Sequence, residues 1–307
     1  MSPRRVCAIS VDLDEIHHYY AIHGLAAPAA PAAHQVYDTA LARYRDFARA
    51  EQLPLTLFVV GSDLARDENA ATLRALAAEG HELGNHTLDH RYDLSRLPRA
   101  QIREQVAGAA ALLSERAGVR PTGFRAPGYV TSDELYAALA ELGVLYSSSV
   151  FPCPYYYIAK LAKLGELWLR GRRSESIASG PELLFAPRSP YRTGQPYWRS
   201  GSGVLELPIQ ITPRLRLPVI GTSLMLLGPQ RARSMIRSLA RETFVNLELH
   251  GVDLLDSADH LTELAPHQFD LRVSLKRKWQ TLSAIVTELR ALGFAFERLD
   301  QVAGRCA

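Results

Sequence analysis

Residues 5–14 read Arg-Val-Cys-Ala-Ile-Ser-Val-Asp-Leu-Asp, and this stretch decides the fold. Residues 5–11 are almost wholly apolar or small, as in a strand buried on both faces of a parallel sheet. The strand then runs straight into two aspartates. Outward from it, β-rich runs at 55–60, 81–86, 122–126 and 144–149 alternate with apolar-periodic stretches at 34–52, 64–79, 99–117 and 132–142. Gly80 and Gly143 follow two of those stretches as left-handed helix terminators. Strand-helix alternation of this kind predicts βα units around a mostly parallel sheet.

The rhythm breaks at 151–203 into prolines, tyrosines and arginines, with one helix predicted at 158–169. It resumes with strands at 204–211, 244–250 and 294–298 and helices at 229–242 and 273–292. The chain of 307 residues exceeds the roughly 250 of an ordinary barrel, and no composition shift marks a boundary. The expectation is one α/β domain over 1–307, built from seven or eight βα units and carrying an insertion at 151–203.

Composition narrows the function. Hydrophobic residues at 47% and charged residues at 22% describe an ordinary globular chain, and 35 basic against 32 acidic residues leave only +3. A nucleic-acid partner is therefore not expected. Three cysteines without a CxxC pair imply neither a disulfide framework nor a thiolate zinc site. The apolar stretch before Asp12 is too short for a secretory signal, and no transmembrane helix is expected. The expected location is cytoplasmic, including the inner face of the membrane.

Asp12 and Asp14 lie two apart at a strand end, so both carboxylates face one site about 6.6 Å apart along the strand. His86 and His90 have the i, i+4 spacing that stacks two imidazoles on one helical turn. A carboxylate with two imidazoles makes a metal triad with open positions for water and substrate. Arg125, in Phe124-Arg-Ala-Pro-Gly128, and His250, in Leu247-Glu-Leu-His250, close two more strands. Singly, the aspartates also read as a solvated pair, the histidines as a surface pair, Arg125 as part of a structural turn and His250 as a core histidine. Their shared position after strands, where parallel α/β folds carry their sites, joins them.

Taken in order, Asp-x-Asp, His-Thr-x-x-His, Arg-Ala-Pro-Gly and Leu-x-Leu-His resemble the motifs of the polysaccharide deacetylase family, the NodB-homology or carbohydrate esterase family 4 group. The resemblance covers about 6–149 and 204–299. It implies a distorted (β/α) barrel of about seven strands with a lid-like insertion. It also implies a metal-dependent amidohydrolase that removes an N-acetyl or N-formyl group from an amino sugar with metal-activated water. Asp14, His86 and His90 would bind one divalent metal ion, Zn2+ by default with Fe2+, Co2+ or Ni2+ as alternatives. Asp12 would be the base, Arg125 its orienting partner and His250 the acid. Pro127, Gly128 and Tyr129 would contact substrate, with Leu247 and Leu249 around the acyl methyl. The family's usual fourth-motif aspartate is absent: residues 146–152 read Tyr-Ser-Ser-Ser-Val-Phe-Pro.

Between 160 and 199, eight basic residues face three acidic ones, with Trp168, Tyr191, Tyr197 and Trp198 among them. Aromatics stack on sugars, arginines grip phosphates and basic amphipathic segments lie on anionic membranes. A phosphate- or lipid-linked substrate and peripheral membrane contact are one expectation; a plain cover or homo-oligomer contact is the other. Two further readings of the site are a hydrolase of a non-sugar amide, such as a cyclic ureide or acylated polyamine, and a catalytically silent glycan or lipid-headgroup binder.

Overall fold

The structure, a computed structural model, describes residues 4–306. Nine strands form one sheet: β1 (Arg5–Asp12), β2 (Thr56–Val59), β3 (Glu82–Asn85), β4 (Gly123–Phe124), β5 (Tyr146–Ser147), β6 (Tyr191–Thr193), β7 (Ser200–Glu206), β8 (Phe244–His250) and β9 (Phe294–Phe296). Their order is β6-β7-β5-β4-β3-β2-β1-β8, with β9 beside β1. Every pairing is parallel except β6 with β7. The helices are α1 (Ile16–Ile22), α2 (Leu41–Ala50), α3 (Asp67–Ala78), α4 (Arg99–Leu112), α5 (Asp133–Glu141), α6 (Pro154–Leu169), α7 (Gly221–Arg237), α8 (Leu275–Ala291) and α9 (Leu299–Cys306).

β1 is an inner strand, as its almost wholly buried, largely apolar residues require. It pairs with β8 from Val6 to Asp12 on one edge, and with β9 and then β2 on the other. Seven parallel strands run in series from β7 to β8, and the sheet curls into a distorted half-barrel, the α/β fold expected. The segment after β7 reaches β8 through irregular bonds rather than a ladder. Gln210 N donates to Asn246 O at 3.1 Å, and Asn246 Nδ2 reaches Leu207 O at 2.9 Å. The largest core cluster joins the strands to the surrounding helices and includes Val11, Phe47, Leu57, Leu247, Leu249 and Ile285. Full burial of each such side chain contributes about 1.5–3 kcal/mol.

Four local expectations need correction. Residues 151–203 are more than an insertion, since they supply α6, edge strand β6 and the start of β7. Proline at N1 starts α6 at Pro154, four residues before its predicted start. The helix predicted at 229–242 begins instead at Gly221 and bends at Gly228, whose φ of 73° and following proline hid its first turns. The predicted helical turn carrying His86 and His90 is a loop, with Thr87 at φ 70° and His90 at φ 51°.

Candidate active site

Parallel strands deliver their C-terminal ends to one rim, and every motif lands there. Asp12 ends β1 in register with His250 on β8 and Phe58 on β2. The loop after β3 is built by its own polar side chains. Asn85 Oδ1 accepts from Thr87 N at 2.8 Å, Asn85 Nδ2 donates to Val106 O at 2.8 Å, and Thr87 Oγ1 accepts from His90 N at 3.0 Å. These bonds hold two non-glycine residues in left-handed backbone and bring the imidazoles together, which helical spacing does not do here.

Asp14 Oδ1 lies 3.1 Å from His86 Nε2 and 3.2 Å from His90 Nε2, with all three residues buried. His86 Nδ1 is 2.8 Å from the Arg125 carbonyl. A carbonyl only accepts, so Nδ1 carries a proton and Nε2 is the nitrogen that faces Asp14 and, when unprotonated, can ligate a cation. Asp14 Oδ1 and both ring nitrogens of His90 have no hydrogen-bond partner. Asp14 Oδ1 and one ring nitrogen each of His86 and His90 lie within 4.8 Å of one another, an arrangement that fits a cation between them. Burial raises the Asp14 carboxyl, but the attraction of His90 and His86 prevails and holds it well below the usual range.

Arg125, the largest fully buried side chain, donates from Nη1 to Asp12 Oδ1 at 2.7 Å. Its Nε bonds Ser148 O at 2.7 Å and its Nη2 bonds Ser148 Oγ at 2.6 Å. Ser148 thus takes up the arginine where the family's fourth-motif aspartate is missing. The guanidinium lies 4.3 Å from the centroid of the Phe58 ring. That ring in turn requires Gly84, where a Cβ would fall 2.6 Å from it. Burial pushes the Asp12 carboxyl up, with Arg125 and His86 pulling the other way.

Glu248, beside His250 on the same strand face, puts Oε1 2.9 Å from His250 Nδ1. Burial works against the imidazolium, but Glu248 outweighs it and raises His250 well above its ordinary value. Tyr129 Oη stands 3.3 Å from His250 Nε2. Asp12, Glu248 and His250 also converge closely enough to hold an ion. That second set already has the Arg125 cation bonded to Asp12.

A cleft of about 480 Å³ opens over these groups. Asp12, Asp14, Gly128, Tyr129 and His250 line it, with Tyr92, Tyr155, Tyr156, Ile220 and Leu226 as further walls. Gly128 has φ 59°, and a Cβ there would lie 2.9 Å from Tyr92. Pro127 is buried and, unlike Gly128 and Tyr129, does not line the cleft. Leu247 and Leu249 do not enclose an acyl group: they alternate with Glu248 and His250, point to the opposite face of β8 and are fully buried in the main core. The same period-2 rule applied to Asp12 and Asp14 finds Glu248, which sequence reasoning overlooked. Ile220 and Leu226 were hidden with the first turns of α7. No lysine or arginine lines the cleft among the described residues, so the basic residues of 160–199 do not converge on it. Lys160 caps Gly128 O at 2.9 Å and Arg188 pairs with Glu242 at 2.8 Å.

The fold and rim define an α/β half-barrel with a candidate metal triad beside the Asp12–Arg125 and Glu248–His250 pairs. The family model for polysaccharide deacetylase matches residues 35–147, which contain His86, His90 and Arg125 but not the flanking strands β1 and β8. A chitooligosaccharide deacetylase of Bradyrhizobium sp. (strain ANU 289) is 33% identical over 100 residues, covering 32% of this chain and 44% of the relative. The chain thus spans less than half the length of that curated relative. A crystal structure described as a probable polysaccharide deacetylase from Pseudomonas aeruginosa PAO1 superposes with TM-score 0.60 at 16% identity, covering 98% of this chain and 90% of the other. The carbohydrate esterase family 4 domain of a multidomain xylanase from the hindgut metagenome of Trinervitermes trinervoides gives 0.50 at 12% identity, over 98% and 91%. These matches support the polysaccharide deacetylase superfamily, the NodB-homology or carbohydrate esterase family 4 group, as the one this chain is similar to.

Proposed function

We propose that this chain is a metal-dependent deacetylase that hydrolyses the acetamide of an amino sugar, with an N-formyl group as the alternative acyl. The observation that carries the reading is the side-by-side placement of the Asp14–His86–His90 set and the Asp12–Arg125 and Glu248–His250 pairs at one cleft. A binder without catalysis leaves both pairs without a role. The tyrosine-rich wall suits a sugar ring better than a linear polyamine.

Asp14, His86 and His90 would hold one divalent ion, Zn2+ being the default for such donors. Bound there, it would supply Lewis acidity for the amide carbonyl and for water. Asp12, fixed by Arg125, accepts the proton of the attacking water. His250, kept protonated by Glu248, donates a proton to the departing nitrogen. The C–N bond breaks, and the products are acetate and the free amine. The proton given is the one on Nε2, the nitrogen that faces the cleft and Tyr129 Oη, since Nδ1 is turned to Glu248.

The test is acetate release from N-acetylated chitooligosaccharides by the purified chain, with metal content measured by mass spectrometry. About one divalent ion per chain is expected, along with loss of both ion and activity in Asp14→Ala. A chain that holds no metal, or an Asp14→Ala variant as active as the parent, would sink the reading.

The pH profile gives a separate check. The acid must be protonated, so activity falls as pH rises through the His250 pKa, which Glu248 raises. Glu248→Gln removes that support, and the alkaline limb of kcat is expected to move to lower pH. An unmoved limb excludes His250 as the acid.

A further inference from the structure

Helix α6 is built inside out. Its charged residues turn toward the body or toward each other: Lys160 donates to Gly128 O at 2.9 Å, and Lys163 pairs with Glu166 at 3.1 Å. Its outward side carries Tyr155, Ile158, Leu161, Trp168 and Leu169, the last two 77% and 78% exposed. Two neighbouring loops extend this face. Arg216 O accepts from the Cys153 thiol at the start of α6, and the Arg216 guanidinium bonds Leu184 O. Phe185 and Leu215, 80% and 63% exposed, therefore flank the N-terminal end of α6. Leu226, also exposed, meets Tyr155 and Ala159 at the cleft. A contiguous apolar surface of this kind is not a feature of an ordinary soluble exterior.

Both ends of this surface are basic. Arg172 and Arg173 are exposed just beyond the C-terminal end of α6, and Arg214 and Arg231 are exposed around Leu215 at the other. We infer that this face docks on an anionic lipid bilayer, with α6 lying in the headgroup plane. A second copy of the chain is the poorer occupant. A twofold pairing of α6 with itself sets basic end against basic end, which costs affinity, whereas anionic headgroups satisfy both ends at once. At 16 residues, α6 is too short to cross a bilayer and lies along it for about 24 Å. No helix among the described residues is long and apolar enough to cross a membrane.

Tyr155 and Ala159 belong both to α6 and to the cleft wall, so docking presents the cleft mouth to the lipid surface. The substrate that follows is an amino sugar carried on a lipid, its acyl amide reaching the cleft while the carrier stays in the bilayer. That consequence rests on the deacetylase reading; the docking does not.

The experiment is co-sedimentation of the full chain with vesicles of phosphatidylcholine alone or mixed with phosphatidylglycerol. Binding to the mixed vesicles is expected, weaker binding to the neutral ones, and release as salt is raised. Trp168→Ser/Leu169→Ser should weaken binding about tenfold or more. Arg172→Gln/Arg173→Gln should remove the preference for anionic lipid. Both variants should keep the thermal midpoint and the hydrolysis of soluble oligosaccharide. Failure of the parent chain to bind, equal binding by the variants, or a dimer that Trp168→Ser/Leu169→Ser splits in sedimentation velocity would overturn the proposal. Vesicle binding without hydrolysis of any acetamide would instead remove the deacetylase reading and leave the docking intact.

Discussion

Asp12→Asn is expected to lower kcat by about a hundred- to ten-thousand-fold, the range for losing a positioned general base. The substitution keeps the side chain's shape, and its amide oxygen can still accept from Arg125 Nη1, now 2.7 Å from Asp12 Oδ1. It removes only the capacity to take a proton. Asp14, His86 and His90 are untouched, so the metal content should stay at the parent's level, and KM should change little. Arg125 loses a buried anionic partner but keeps both bonds to Ser148, so a lowered thermal midpoint is expected without loss of fold. Unchanged kcat at full metal content would mean that another group accepts the proton.

What the sequence made legible was whatever sits within a few residues of a strand end. Asp-x-Asp and Arg-Ala-Pro-Gly are local patterns, and a parallel sheet delivers local patterns to a common rim. Partners set by sheet order were not legible. Ser148 lies 23 residues from Arg125, and only the β4–β5 pairing says that they meet. Two misreadings had different sources, one a helical period and one the family resemblance. His86 and His90 were placed on a helical turn because i, i+4 suits one, yet Asn85 and Thr87 fold a loop that does the same work. Leu247 and Leu249 were placed at the substrate, although alternation along β8 gives the rim to Glu248 and His250. The wall of Ile220 and Leu226 stayed hidden because Gly228-Pro229 looks like a helix start when it is a bend within α7.

Lys278→Met should destabilise the fold by about 3–5 kcal/mol, the usual result of removing one partner from a buried ion pair. Lys278, on α8, has no solvent exposure, and its Nζ reaches Asp270 Oδ2 at 3.2 Å, Val252 O at 3.2 Å and Leu255 O at 2.6 Å. Methionine fills a similar volume but leaves Asp270 as an uncompensated buried carboxylate. Denaturant unfolding should therefore show a lower midpoint at unchanged slope. Pairing it with Asp270→Leu should recover a large part of the loss, because replacing both charges by apolar groups is often near neutral. The consequence reaches the cleft. Val252 belongs to the turn directly after His250, whose backbone N–H donates to Asp253 Oδ2 at 2.8 Å. Asp270 accepts from Gln268 Nε2 at 2.6 Å, and Gln268 lines the cleft. The doubly substituted chain, though stable, should therefore keep a lowered kcat, because stability returns without the amine that ties this turn to α8. If kcat returned fully along with stability, the pair would hold the fold and not the acid.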